Sequence, residues 1–320
     1  MMSTLRRWLT LGCAALALQA HAKAPDCPPP PSPSAEAVAQ ARGQARDRGF
    51  LWRIRKDGRT SWLYGTLHVG RLAWVFPGPK VSEALQGSQV AAFELDFSDE
   101  AVVQRLLDGL ATAARDPAAP RLPDDLAVRL RRQMEAACVP ADWQQSLPPE
   151  MLGVTLSMMV GRHDGLETSY AIDPALARLA RSAGKELVSL ETPELQIDVL
   201  RSKSAAELRE NMDKMLGDLE RDRVRPLLRR VADAWAQGRA AELSGYRSWC
   251  ECARTPQERE SLKALLDDRN GPMAQRIDAL HTSGKTVFAA VGSLHMFGPT
   301  GLPALMAARG YEVVPVELYR

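Results

Sequence analysis

One pattern near the start of the chain returns near its end. A strand, the loop Gly65-Thr66-Leu67-His68, a helix and a second strand at 90–95 recur as a strand, Gly292-Ser293-Leu294-His295, a helix and a strand at 311–318. The second strands even close alike, on Phe93-Glu94-Leu95 and Val316-Glu317-Leu318. Parallel strands need a crossover, usually a helix, so the repeat predicts an α/β fold. Its mainly parallel central sheet would be built from two similar strand-helix-strand halves. Both Gly-X-X-His loops then leave strand C-terminal ends, the edge where open parallel sheets form their sites. Glycine permits a sharp turn there, and the histidine three residues on can be aimed back over the sheet.

The intervening sequence reads as a long helical middle segment. A helix at 35–48 leads into an alternating strand at 50–55, and Asp57-Gly58 marks a hairpin turn before the return strand at 61–66. From 99 to about 160 the pattern is helical, with Val102, Val103, Leu106, Leu107 and Leu110 on one face. A helix at 174–183, a strand at 186–190 and a Thr192-Pro193-Glu194 helix start follow. Residues 205–280 are almost all helical, before strand 286–291, helix 301–309 and strand 311–318.

The N-terminus reads as a secretory signal. Arg6 and Arg7 precede an apolar run at 8–18, and Ala20-His21-Ala22 places small residues at −3 and −1 of a cut after Ala22. The expected organisation is a signal peptide at 1–22, a Pro-rich leader at 23–34 and a single α/β domain at 35–320. No segment has 18 consecutive apolar residues, so no membrane span is expected and the mature chain would be periplasmic or secreted. Cleavage leaves 39 basic against 39 acidic residues. That neutral balance, with 6% aromatic residues, excludes a nucleic-acid binder of the usual basic kind. Cys27, Cys138, Cys250 and Cys252 remain in an oxidising compartment. Joining Cys250 to Cys252 needs a tight ring, so two long-range bridges, each reaching Cys27 or Cys138, are expected.

Chemistry-bearing residues are few. His68 and His295 occupy equivalent loop positions, and Glu94 sits in an apolar run where a carboxylate needs a partner. Neutral imidazoles beside a carboxylate suit either a first-row metal or a general acid–base set. Glu191 leaves a strand in a helix-capping context, and Arg269-Asn270 reads equally as a helix-end hydrogen-bond pair. Asp173 is expected to cap its helix, His163 to be a loop histidine, His281 to complement a helix dipole, and Glu317 to be a structural counterpart of Glu94. His-Glu-X-X-His, Gly-X-Ser-X-Gly, phosphate-loop and dinucleotide motifs are all absent.

Taken together, Leu63-Tyr64-Gly65-Thr66-Leu67-His68, Phe93-Glu94, residues 165–173, Leu190-Glu191-Thr192, Arg269-Asn270 and Val291-Gly292-Ser293-Leu294-His295 resemble the TraB/GumN family, including its TIKI peptidase branch. The resemblance implies a fold like that of the erythromycin esterases. It also implies a peptidase dependent on a divalent cation, Mn2+ or Co2+, held by His68, Glu94 and His295, with a peptide or protein substrate. On that reading Glu191 would serve as general base and Arg269 would polarise the scissile carbonyl. Two alternatives stay open: a metal-free hydrolase of the erythromycin-esterase type using the same side chains, and a non-catalytic envelope binding protein.

Overall fold

The computed structural model describes residues 31–319. The expected signal segment, Cys27 and most of the Pro-rich leader lie outside the described residues. The strands are β1 (Phe50–Lys56), β2 (Arg59–Thr66), β3 (Val90–Phe93), β4 (Glu186–Ser189), β5 (Val287–Gly292) and β6 (Glu312–Val316). They form one six-stranded mixed sheet in the order β4-β3-β5-β2-β1-β6. The first four in that order pair in parallel, whereas β1 is antiparallel to both β2 and β6.

Five of the six strands therefore share one direction and β1 alone opposes them, which makes the sheet mixed rather than wholly parallel. Strand β3 lies against β5, but β6 is separated from β5 by β2 and the hairpin strand β1. The hairpin itself forms at Asp57-Gly58, both with positive φ, as a tight turn between twisted strands requires.

Helices α1 (Ala35–Gly43) and α2 (Pro79–Gln86) flank the first strands. The middle segment then supplies α3 (Glu100–Arg115), α4 (Asp124–Ala136), α5 (Pro149–Met159), α6 (Ile172–Ser182), α7 (Pro193–Leu200), α8 (Ala205–Glu220) and α9 (Val224–Ala236). It continues through α10 (Ala240–Ser244), α11 (Tyr246–Trp249), α12 (Pro256–Leu262) and α13 (Asp268–Thr282), and α14 (Leu302–Ala308) precedes β6. Among the described residues no helix is long and apolar enough to cross a membrane.

Both faces of the sheet are covered. Tyr64, Phe93 and Phe288 pack toward Leu176, Ala180 and Trp235, while Leu63, Ala92 and Val291 pack toward Met273, Ile277 and Met306. Residues 287–291 of β5 are completely buried, which explains their continuous apolar run without alternation. A separate cluster of Leu126, Leu130, Leu152, Leu208 and Met212 holds the helical middle together. Leu107, expected on the apolar face of α3, is 52% exposed.

The cysteines correct the expectation of two long-range bridges. Cys250 and Cys252 are bonded to each other, and Cys138 is also disulfide-bonded. The small ring closes because Glu251 takes left-handed backbone, φ 57°, which leaves the flanking Cα atoms 5.1 Å apart, inside the range a disulfide spans.

Candidate functional site

Sheet order places four side chains on one edge. The neighbouring parallel strands β4, β3, β5 and β2 end on the same side, and the chain just beyond them carries Glu191, Glu94, His295 and His68 respectively. Two glycines make the close approach possible. A Cβ on Gly65 would lie 2.8 Å from Ser293 Oγ, whose hydroxyl donates to Thr66 O at 2.9 Å and ties the two loops together. A Cβ on Gly292 would lie 3.1 Å from Glu94 Oε1, 3.6 Å from His295 Cδ2 and 3.7 Å from His68 Nε2. No two of those atoms are therefore more than about 7 Å apart. Gly292→Ala is expected to leave the fold intact, since the backbone φ is −47°, yet to crowd Glu94 Oε1 and fill the space that the two imidazoles border. Unchanged melting with loss of ligand or substrate turnover is the expected result, and unaltered turnover would show that this space is not used.

Arg269 organises the carboxylates. From α13 its Nη2 donates to Glu94 Oε2 at 2.6 Å and to Glu191 Oε2 at 2.5 Å, and its Nε donates to Glu191 Oε1 at 2.8 Å. A π-helical turn, Lys263–Asp267, precedes α13, and Leu265 O accepts from Arg269 Nη1 at 3.0 Å. Glu94 Oε1 also accepts from Gly292 N–H at 2.8 Å, and Glu191 Oε2 from Gln196 Nε2 at 3.0 Å. Burial by itself raises the Glu94 pKa, but His295, His68, Arg269 and the Gly292 N–H outweigh it and hold the carboxyl at about 2. Burial opposes the Arg269 charge, and its bonds to Glu191 and Glu94 overcome that, so the guanidinium stays protonated.

The two imidazoles differ in environment. His68 Nδ1 meets Asp173 Oδ1 at 3.2 Å, and that carboxylate, working against burial, lifts His68 to about 9. Solvent reaches 54% of the His68 side chain and screens part of this coupling. His295 is only 4% exposed, and burial lowers its pKa. Asn270 Nδ2 donates to Thr300 O at 2.9 Å, which turns Asn270 Oδ1 toward His295 Nδ1 at 2.7 Å. The His295 proton therefore sits on Nδ1, and Nε2 keeps a lone pair.

Asp173 and Asn270 are the residues that sequence reasoning misassigned. Asp173 does not cap its helix; α6 begins at Ile172, and the carboxylate reaches across to His68 instead. Asn270 does not form a helix-end pair but bridges His295 to the loop at Thr300. Their place within the family-like segments at 165–173 and 269–270 was the available signal. His163 lies exposed in a short turn, as expected. His281 is no simple dipole partner: it is fully buried, with Nδ1 at 2.8 Å from Ser61 Oγ and Nε2 at 3.0 Å from Lys56 O. Glu317 is exposed just beyond β6, on the same sheet edge but separated from β2 by β1.

Both Glu94 oxygens already accept hydrogen bonds, one from a guanidinium whose positive charge would oppose a second cation. Among the described residues no three His, Cys, Asp or Glu side chains are grouped so as to hold a metal ion. A cavity of about 440 Å³ lies elsewhere, among α3, α4 and α5, lined by residues such as Arg121, Leu130 and Glu150.

The sequence profile of the TraB/PrgY/gumN family matches residues 50–315, which takes in β1 to β5, all but the last residue of β6, and the four site side chains at this edge. The chain belongs to the TraB/PrgY/gumN family. It is also 34% identical over 93 residues to metalloprotease TIKI1 of Danio rerio, and 31% identical over 93 residues to metalloprotease TIKI1 of Homo sapiens. Each stretch is 29% of this chain and only 19% and 18% of those relatives. No solved structure matches the chain.

Proposed function

We propose that this TraB/PrgY/gumN-family chain is an extracytoplasmic hydrolase of acyl bonds, a peptidase by analogy with the relatives named metalloprotease, working by acid–base catalysis. The observation that carries the reading is the convergence of His68, His295 and Glu94 on the space above Gly292. Neutral His295 takes a proton from the attacking water through its free Nε2. Imidazolium His68 donates a proton to the leaving group. Glu94 stays ionised and stabilises the positive charge that His295 acquires. Arg269 and Glu191 hold Glu94 in place, and Asp173 and Asn270 orient the two rings by their Nδ1 atoms. The general-base role thus goes to His295 rather than Glu191, whose oxygens are occupied by Arg269 and Gln196. The two-half duplication and the kinship with erythromycin esterases belong to the same proposal.

A second reading has one observation of its own. Both imidazoles offer Nδ1 to an oxygen acceptor, the arrangement that orients metal-ligating histidines. Mn2+ or Co2+ at the opposite ring edges would supply a Lewis acid. The deciding experiment uses untagged protein, dialysed against chelator, on a panel of peptides and nitrophenyl esters. Undiminished turnover in chelator is expected. Turnover lost there and restored by Mn2+ or Co2+ would replace the acid–base reading with the second one. No turnover under either condition would leave a binding protein.

A further inference from the structure

Outside the cleft, the Cys250-Glu251-Cys252 ring is an unusual place for a structural bridge. In the chain-entropy account a disulfide's stabilisation grows with the logarithm of the loop it closes, so a ring of adjacent-but-one residues sits at the low end. Closure also keeps Glu251, a residue with a Cβ, at φ 57° in the left-handed region. The ring therefore gains little stability and holds its own middle residue in an unfavourable conformation.

Its surroundings suit exchange chemistry. Cys250 is 5% exposed, whereas Cys252 is only half-buried, so an attacking thiolate meets Cys252 first. The Cys252 N–H lies 3.1 Å from Cys250 Sγ, placed to hold a thiolate there. Arg254 pairs with the Glu251 carboxylate at 2.8 Å and offsets its negative charge. Glu251 and Arg254 also line a polar cleft of about 230 Å³, with Lys214, Arg221, Asp218 and Glu258.

We propose that Cys250-Cys252 is a thiol–disulfide exchange centre that oxidises dithiols of peptides or proteins. A substrate thiolate attacks Cys252 Sγ. The Cys250–Cys252 bond breaks, and its electron pair leaves on Cys250, held by the Cys252 N–H. The substrate's second thiolate then attacks the substrate sulfur of the mixed disulfide and expels Cys252. The substrate loses two electrons and two protons to form its disulfide, and the chain gains them as a dithiol.

The test compares the disulfides of the intact protein. The oxidised chain is titrated with reduced glutathione, trapped by alkylation and mapped by mass spectrometry. The ring is expected to open at a glutathione concentration ~10-fold below that needed for the Cys138 bond, because structural bridges resist this reductant. A synthetic dithiol peptide should emerge oxidised, one per chain. In Cys250→Ser the remaining Cys252 should form a mixed disulfide with oxidised glutathione, and in Cys252→Ser the buried Cys250 should react ~10-fold more slowly. Opening of the Cys138 bond first or together with the ring, or no peptide disulfide, overturns the proposal. If either serine variant fails to fold, the titration of the parent chain decides alone.

Discussion

Arg269→Met is expected to destabilise the protein by about 3–5 kcal/mol at pH 7, the usual cost of removing one partner from a buried ion pair. The Arg269 side chain is 9% exposed, that of Glu94 10% and that of Glu191 1%, so water can do little to compensate. The sign of the pH dependence distinguishes this loss from a packing defect. In the parent chain Glu94 is depressed to about 2, so its contribution is full above its ordinary value of 4.5 and is lost as pH falls toward 2. Without the guanidinium, two carboxylates share a buried site, and at least one is pushed above its unfolded value. The variant should therefore gain stability relative to the parent as pH falls from 7 to 5. Urea unfolding at both pH values measures it. A cost under about 1 kcal/mol, or the parent's pH slope, would refute the clamp. Adding Glu94→Gln and Glu191→Gln should recover part of the loss by removing the stranded charges.

Nuclear magnetic resonance titration of the histidine ring protons is expected to separate the two site imidazoles, with His68 titrating at about 9 and His295 below 6.5. Activity should accordingly lie between those limits: lost in acid as His295 takes up a proton, and lost in alkali as His68 gives one up. The His68 contribution to stability runs the same way on the alkaline side, full below 6.5 and lost as pH rises through about 9. His68→Ala and His295→Ala should each lower kcat/KM by ~10²–10⁴, with the double variant little worse than either, because the groups act as a unit. His163→Ala is the silent control. His281→Ala should keep activity but lose stability, since Ser61 and Lys56 O would be left facing a void. Coincident titration of both rings near 6.5 would remove the acid–base assignment.

What was legible locally follows from short-range physics. The hairpin needs only the Asp57-Gly58 turn and flanking alternation. The apolar runs of β3 and β5 report burial on both faces wherever those strands sit. A charged Glu94 in such a run announces a compensating partner without naming it. Arg269 could not be named as that partner, because its approach depends on how α13 packs across the C-terminal ends of β3 and β4.

The sequence by itself determined the elements, the two Gly-X-X-His loops and the edge at which their histidines would gather, since turn preference, periodicity and burial cost act within a few residues. Only the tertiary structure decided the insertion of β1 between β2 and β6, the reach of Asp173 to His68, the Asn270 bridge to His295 and the closure of Cys250 onto Cys252. Three of these join segments distant in the chain. The fourth turns on a single backbone angle at Glu251 that an ordinary residue adopts only when its surroundings impose it.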